Sequence, residues 1–427
     1  MTRSVFNSIN IRARASAAMM AVLSVLGCAS QRLEATPNFL RKLRNPSDGC
    51  SACHTISPRL NEFGYKFRAA GYRLPNQIGE REDKPFELGD YFAGGITANY
   101  TANKTETGPV SSHTNQFAFD NVHLWPFTGS MAGNYATKIE LTFGPKGVFG
   151  FNAAYMRYTR GSNDKFLSAR FGVLPKEGYG ASDRGVGLSS PLFTGAANYN
   201  QSQYFSFQSS AGGEFGYYYK RTAIIGQITN GIVLFNENGT ITAYGAQGGA
   251  LIKPGGQVTS SSPDFQIIAN QILTSNGGGI YLQLYHGHSG IPYVGSKTQF
   301  YKNEFDRAVL YGSYPVHKRL LLLGGYSAGR DHLETGETFG SGGWFASAEV
   351  PIIVEGSAPI TAGYRHDFFD PAKTKLLNEA AAETAFISLF THSGVRLAGE
   401  FQHRNTDRGV NPNQLFNQFQ VRLEYYR

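Results

Sequence analysis

The sequence predicts a mainly-β chain: an antiparallel transmembrane β-barrel of about 16 strands with a small α-helical segment ahead of it. Three observations carry this prediction. Charged residues make up only 16% of the 427 positions and aromatics 13%, with 51 Gly, 24 Tyr and 31 Phe. That balance suits a barrel with aromatic girdles and glycine-rich turns better than a soluble enzyme. From about Phe86 onward the chain is a series of short alternating stretches, each strand and its turn taking about 21 residues, the rhythm of porin-sized barrels. Finally, beyond residue 30 no apolar run approaches the about 18 residues of a spanning helix. The longest, Leu320–Leu323, is stopped by Arg319 and Gly324-Gly325. Any crossing of a bilayer therefore uses strands closed into a barrel.

Residues 1–29 read as a secretory signal: Arg3, Arg12 and Arg14, then an apolar stretch from about Ala15 to Gly27, then small residues. Cleavage after Ala29, cleavage near Ala35, and lipidation of Cys28 are all open at this point. The formal charge of +8 forms no basic stripe interleaved with aromatics, so nucleic acid is not an expected partner.

The segment 30–85 carries the strongest chemical signal, Cys50-Ser51-Ala52-Cys53-His54. Two thiols separated by two residues, with His immediately after, are arranged to form thioethers with one haem c and to offer a proximal nitrogen to its iron. A redox dithiol needs a βαβ setting, and a structural zinc site needs two further close ligands. The next histidine is His113. Ser57-Pro58 reads as a helix start, Leu60, Phe63 and Phe67 as one apolar face, and Gly71 as the C-terminal cap. That face is expected to cover the edge of the cofactor.

The distal ligand is open. After the signal only Met131 and Met156 remain as methionines. Alternation over Val148–Thr159 places Met156 on the lumen side, which makes it a candidate. Met131, His123 and His113 are others. His286 and His288 form a weak surface-metal pair.

From 86 to 427 the alternation puts apolar residues on one face and full charges on the other. Tyr135, Ile139, Leu141 and Phe143 oppose Lys138, Glu140 and Thr142. Leu167, Ala169, Phe171 and Val173 oppose Ser168 and Arg170. Val395, Leu397 and Phe401 oppose Arg396, Glu400 and Gln402, and Phe419, Val421, Leu423 and Tyr425 oppose Gln420, Arg422 and Glu424. A charged face that recurs strand after strand suits a wet lumen. Stretches 176–200 and 245–263 read as extracellular or lumen-folded loops.

A single Cys-x-x-Cys-His followed by Pro58, Leu60, Phe63-Gly64, Phe67 and Gly71-Tyr72, all upstream of a barrel, resembles the fused outer-membrane cytochrome–porins, the iron oxidases of iron-oxidising bacteria. The resemblance covers about residues 37–75; over the barrel it is architectural. It implies Cys50 and Cys53 as thioether residues, His54 as proximal ligand, and a haem segment that plugs the barrel or lies on its periplasmic side. It further implies a location in the cell outer membrane and electron flow from extracellular Fe(II) to a periplasmic cytochrome. Glu177 and Asp183 are candidate collectors of Fe(II). Two rival readings are a transport barrel with a haem-bearing gate and a soluble periplasmic haem sensor.

Overall fold

The structure is a computed structural model. It describes residues 53–56, 59–74, 78, 92–131, 133–144, 149–174, 186–194, 197–199, 202–204, 210–230, 263–292, 300–317, 319–352, 360–371, 373, 379–390, 395–407 and 413–426. The signal, Cys50, Ser57-Pro58, Glu177, Asp183, most of both long loops and the boundary near 85/86 lie outside them.

A two-stranded ribbon, β1 (His54–Ile56) with β2 (Arg59–Leu60), leads into helix α1 (Glu62–Ala69). The barrel follows: β3 (Ala93–Thr107), β4 (Val110–Trp125), the two-residue β5 (Gly129–Ser130), β6 (Tyr135–Phe143), β7 (Phe149–Ser162) and β8 (Lys165–Leu174). A side hairpin pairs β9 (Ala197–Tyr199) with β10 (Ser202–Tyr204). The wall resumes with β11 (Ser210–Tyr219), β12 (Thr222–Thr229), β13 (Asp264–Ile272), β14 (Gly279–Pro292), β15 (Phe300–His317), β16 (Leu320–Leu333) and β17 (Thr338–Ile352). It is completed by β18 (Ile360–Asp370), β19 (Ala380–Phe390), β20 (Val395–Thr406) and β21 (Gln414–Tyr426). Among the described residues, sixteen long strands and β5 close into one antiparallel barrel, with β21 pairing β3. Closure leaves no sheet edge at the seam, which is what a lipid-facing sheet requires. Among the described residues no helix is long and apolar enough to cross a membrane.

The alternation read from the sequence sets the two faces. Phe171 (67% exposed) and Leu167 (42%) point out of β8, while Ser168 and Arg170 are buried inside. Phe401, Leu423 and Tyr425 point out of β20 and β21, and Arg396, Glu400, Gln402 and Glu424 point in. The fully buried inward charges among them are paired. Arg170 Nε donates to Glu214 at 2.7 Å, Arg307 to Asp331 at 2.7 Å, and Arg365 to Asp367 at 2.7 Å. A desolvated charge survives inside a protein only with such a partner.

On β7 the sequence reading fails. Met156 is 53% exposed and faces outward, whereas Ala153, Tyr155, Arg157 and Thr159 are buried on the lumen side. The cause is a β-bulge: Leu141 pairs Phe151 but Glu140 pairs Ala153, which leaves Asn152 as an extra residue. One extra residue in a strand moves every later side chain to the opposite face. A parity counted from Phe149 is therefore reversed by position 156.

Short turns sit at the end of the barrel that holds the start of β3 and the end of β21. The long connections, 175–209 and 230–263, lie at the other, or loop, end. The piece 186–194 of the first connection folds inward. Arg365 Nη1 donates to the Ser189 carbonyl at 2.7 Å, Arg396 Nη2 to that of Val186 at 2.6 Å, and the Leu188 and Ser189 amides donate to Glu400. Phe193 is buried between Phe345 and Phe369 within the lumen core.

Candidate functional site

The Cys53-His54 pair sits where the chain enters the terminal end of the barrel, and the local fold follows from a few residues. Asn61, not Ser57, caps the helix: its side chain accepts from the Gly64 amide at 2.8 Å, and its own amide donates to the Cys53 carbonyl at 2.9 Å. An Asn cap satisfies one of the orphan amides of the first turn. Gly64 then lies directly against Cys53; a Cβ there would overlap the Cys53 carbonyl. At the far end Gly71 takes φ +75°, the Gly71 amide donates to Arg68 and that of Tyr72 to Phe67 at 2.8 Å. This is a Schellman termination, and it uses Gly71 as expected.

The helix has two apolar sides. Tyr65, Ala69 and Ala70 join the lumen core with Tyr218, Ile225 and Ile268. Phe63 and Phe67 stack at 6.1 Å, with Tyr72 edge-on to Phe67 at 6.0 Å. Leu60, read as part of the same helical face, lies instead in β2 and packs against the lumen core. Burial pushes the Tyr65 hydroxyl well above its ordinary range.

Ties from the barrel wall hold this segment across the mouth. Arg59 pairs with Glu349 at 2.9 Å and donates to the Tyr311 hydroxyl at 3.2 Å. Burial opposes the Arg59 charge, but Glu349 and Tyr311 outweigh it and raise its pKa. Glu62 receives Arg221 at 2.8 Å and Lys66 at 3.0 Å, and its amide donates to Ser275. Burial works to raise the Glu62 pKa, yet these hydrogen bonds win and hold it below the usual carboxylate value. Arg157 donates to the Arg68 and Ala69 carbonyls at 2.7 and 2.5 Å. Arg73 reaches the Gly133 and Tyr135 carbonyls.

Arg157 shows why the plug and the wall need each other. It lies directly opposite Arg170, and both guanidinium groups approach the Tyr155 ring. Two like charges side by side repel. Arg170 is neutralised by Glu214, and Arg157 by the negative end of the helix dipole.

The remaining candidates are scattered. Met156 is on the outer face and cannot meet a group held in the lumen. Met131 lies by the turn that Arg73 grips, at the C-terminal end of α1, while His54 precedes the N-terminal end. The eight-residue helix separates those ends by about 12 Å, which sets Met131 and His54 at opposite ends of α1. His113 is exposed near the tip of the β3–β4 hairpin. His123 stacks on Trp125 at 5.7 Å and meets Glu140 at 3.6 Å. His286 and His288 stand on the outer face of β14, 5.2 Å apart, with Asp306 at 3.0 Å from His286. Among the described residues no three His, Cys, Asp or Glu side chains cluster as a metal site. The wall ties were missed in the sequence, because nothing local marks Arg157 or Glu349 as partners of a distant helix.

The barrel can be compared with solved structures. An anion-selective porin from Comamonas acidovorans superposes with a TM-score of 0.51 at 12% identity, over 78% of this chain and 98% of its own. The outer-membrane channel DcaP of Acinetobacter baumannii gives 0.52 at 11% identity, over 79% and 97%. OprB of Pseudomonas putida gives 0.50 at 10% identity, over 78% and 94%. The fold is that of outer-membrane porins. At these identities the likeness concerns fold alone. No protein-family pattern and no curated protein matches the sequence.

Proposed function

We propose that this protein is an outer-membrane barrel that carries electrons inward through one haem c, bound by Cys50, Cys53 and His54 in a plug at the periplasmic mouth. The observation that carries the reading is the anchoring of the Cys53-His54 segment inside the barrel by Arg59, Glu62, Arg73 and Arg157. A detached cytochrome domain would not need four wall contacts. The local geometry fits the group. Gly64 leaves room for the helix to lie on the cysteine loop, and the same helix carries the stacked Phe63 and Phe67 with Tyr72 edge-on. The porin fold and the apolar outer face support a place in outer-membrane lipid.

The haem supplies a one-electron site that no side chain here offers. The chain does the rest: it fixes His54 near the mouth and pairs the charges of the plug and the wall beside it. Extracellular Fe(II) is the proposed donor, each ion leaving as Fe(III) after giving one electron, and a periplasmic cytochrome is the acceptor.

The test is stopped-flow absorbance of the oxidised, haem-loaded protein in detergent, mixed anoxically with Fe(II). A rise of the α-band at a rate first order in Fe(II) is expected. An intact spectrum that never reduces removes iron as donor. The similarity to porins and channels keeps a second reading in view, a solute channel gated by the plug. Planar-bilayer recording separates the two: large steady conductance of the intact protein favours the channel.

A further inference from the structure

The inner wall of the barrel is not uniformly closed. On β11–β19 the inward polar residues are buried, Gln283, Arg307, Asp331 and Asp367 among them. On the adjoining strands β21, β3 and β4 they are not. Thr101, Asn103 and Gln418 are half-buried; Thr114 and Gln116 belong to the hairpin end 110–117, which is exposed on both faces. Their register places them side by side on the lumen face: Gln418 opposite Asn103, and Asn103 opposite Thr114. Nearer the chain ends this strip closes, because Thr97, Asn99 and Glu424 are buried. Among the described residues this leaves a polar recess on the lumen face above the level of Asn99.

Its chemistry is specific. The strip is made of amides and hydroxyls, and the Gln418 amide already donates to Asn103 at 3.1 Å. Its carboxylates are taken up elsewhere: Glu424 pairs with Arg396, and Glu400 accepts the Leu188 and Ser189 amides. Arg404, on the next strand, lies over the Phe416 ring at 4.8 Å, and its Nε is buried with no hydrogen-bond partner. Arg404 and Phe416 face each other across β20 and β21, one residue pair above Gln418 on the same lumen face. A guanidinium with no carboxylate against it, set beside neutral amides, attracts an oxygen-rich anion and repels a bare cation.

We infer that the recess binds small anionic, oxygen-rich ligands, so that the iron it admits arrives as a hydroxycarboxylate chelate and not as the bare divalent ion. The link to iron rests on the electron-transfer reading; the binding of the anion does not. A net-positive chain strengthens the same preference by drawing anions toward the mouth.

The experiment has two arms. In the first, the oxidised full chain in detergent is titrated calorimetrically with zinc(II) citrate, a redox-inert stand-in for the ferrous chelate. Saturable binding is expected, weakened at least tenfold in Arg404→Gln and in Gln418→Leu. It should be unchanged in Lys104→Gln, whose side chain lies on the outer face paired with Glu106. Absence of heat, or equal binding by wild type and Arg404→Gln when both keep the heat-modifiable migration of a folded barrel, overturns the inference. In the second arm, haem reduction by Fe(II) citrate and by unchelated Fe(II) is compared. Binding without reduction by either keeps the recess and removes the electron-transfer reading. Reduction at equal rates by both forms, unaffected by Arg404→Gln, keeps electron transfer and removes the recess as its entrance.

Discussion

Gly64 is the residue on which the plug turns. Its position over the Cys53 carbonyl admits no Cβ, so even Gly64→Ala must push α1 off the cysteine loop. The expected outcome is a strong loss of covalently attached haem, read by haem staining after denaturing electrophoresis, with the barrel still folded. Arg157 makes a different prediction. Arg157→Leu removes the partner of two helix-end carbonyls, at a cost of up to about 2 kcal/mol for a buried charge at a helix end. Faster amide exchange across 62–72, with the wall strands unchanged, is the signature. Met156→Ala should leave the haem spectrum untouched, because its side chain points out of the barrel. A shifted Soret or α-band would restore it as a ligand. The sequence made Gly71 legible because its role is local. Met156 was misplaced because a bulge at Asn152 leaves no mark in composition or alternation.

At the scale of elements, α1 shows what local chemistry can and cannot tell. Its end was legible, since Gly71 has few alternatives at a positive φ. Its start was not, because the Ser57-Pro58 signature and the Asn61 cap compete, and the barrel decides between them by holding Arg59 and Leu60 in an extended ribbon. The helix is short, so its stability comes from packing and ties more than from propensity. One tie is sensitive to pH. The Glu62 pKa is lowered in the folded state, so its contribution is fully present above the ordinary carboxylate value. It fades as pH falls through the lowered value, when Arg221 and Lys66 lose their partner. Bilayer conductance should therefore rise as the solution is acidified below the usual carboxylate range. In Glu62→Gln that step should be absent, and conductance at neutral pH should already be higher. A wild-type protein whose conductance ignores acidification would remove Glu62 as a latch.

For the whole molecule, the barrel was readable because alternation is a global pattern repeated many times, and single errors such as the one on β7 do not disturb it. The filling of the barrel was not readable, since it depends on contacts between residues far apart in sequence. Two elements fill the lumen and share one core. The first is the segment 53–74 at the terminal mouth. The second is the inward-folded piece 186–194, held by Arg365, Arg396 and Glu400. Each occupies its own share of the lumen, so removing either alone should open the pore only in part. Deleting residues 53–74 leaves the Phe193 cluster in place, and Arg365→Ala with Glu400→Ala leaves the plug in place. Each change alone should produce small or noisy conductance, and the combination a stable, much larger step with the size expected of a sixteen-strand barrel. If the deletion alone already gives the full step, the loop is not an obstruction, and the plug by itself separates the two compartments.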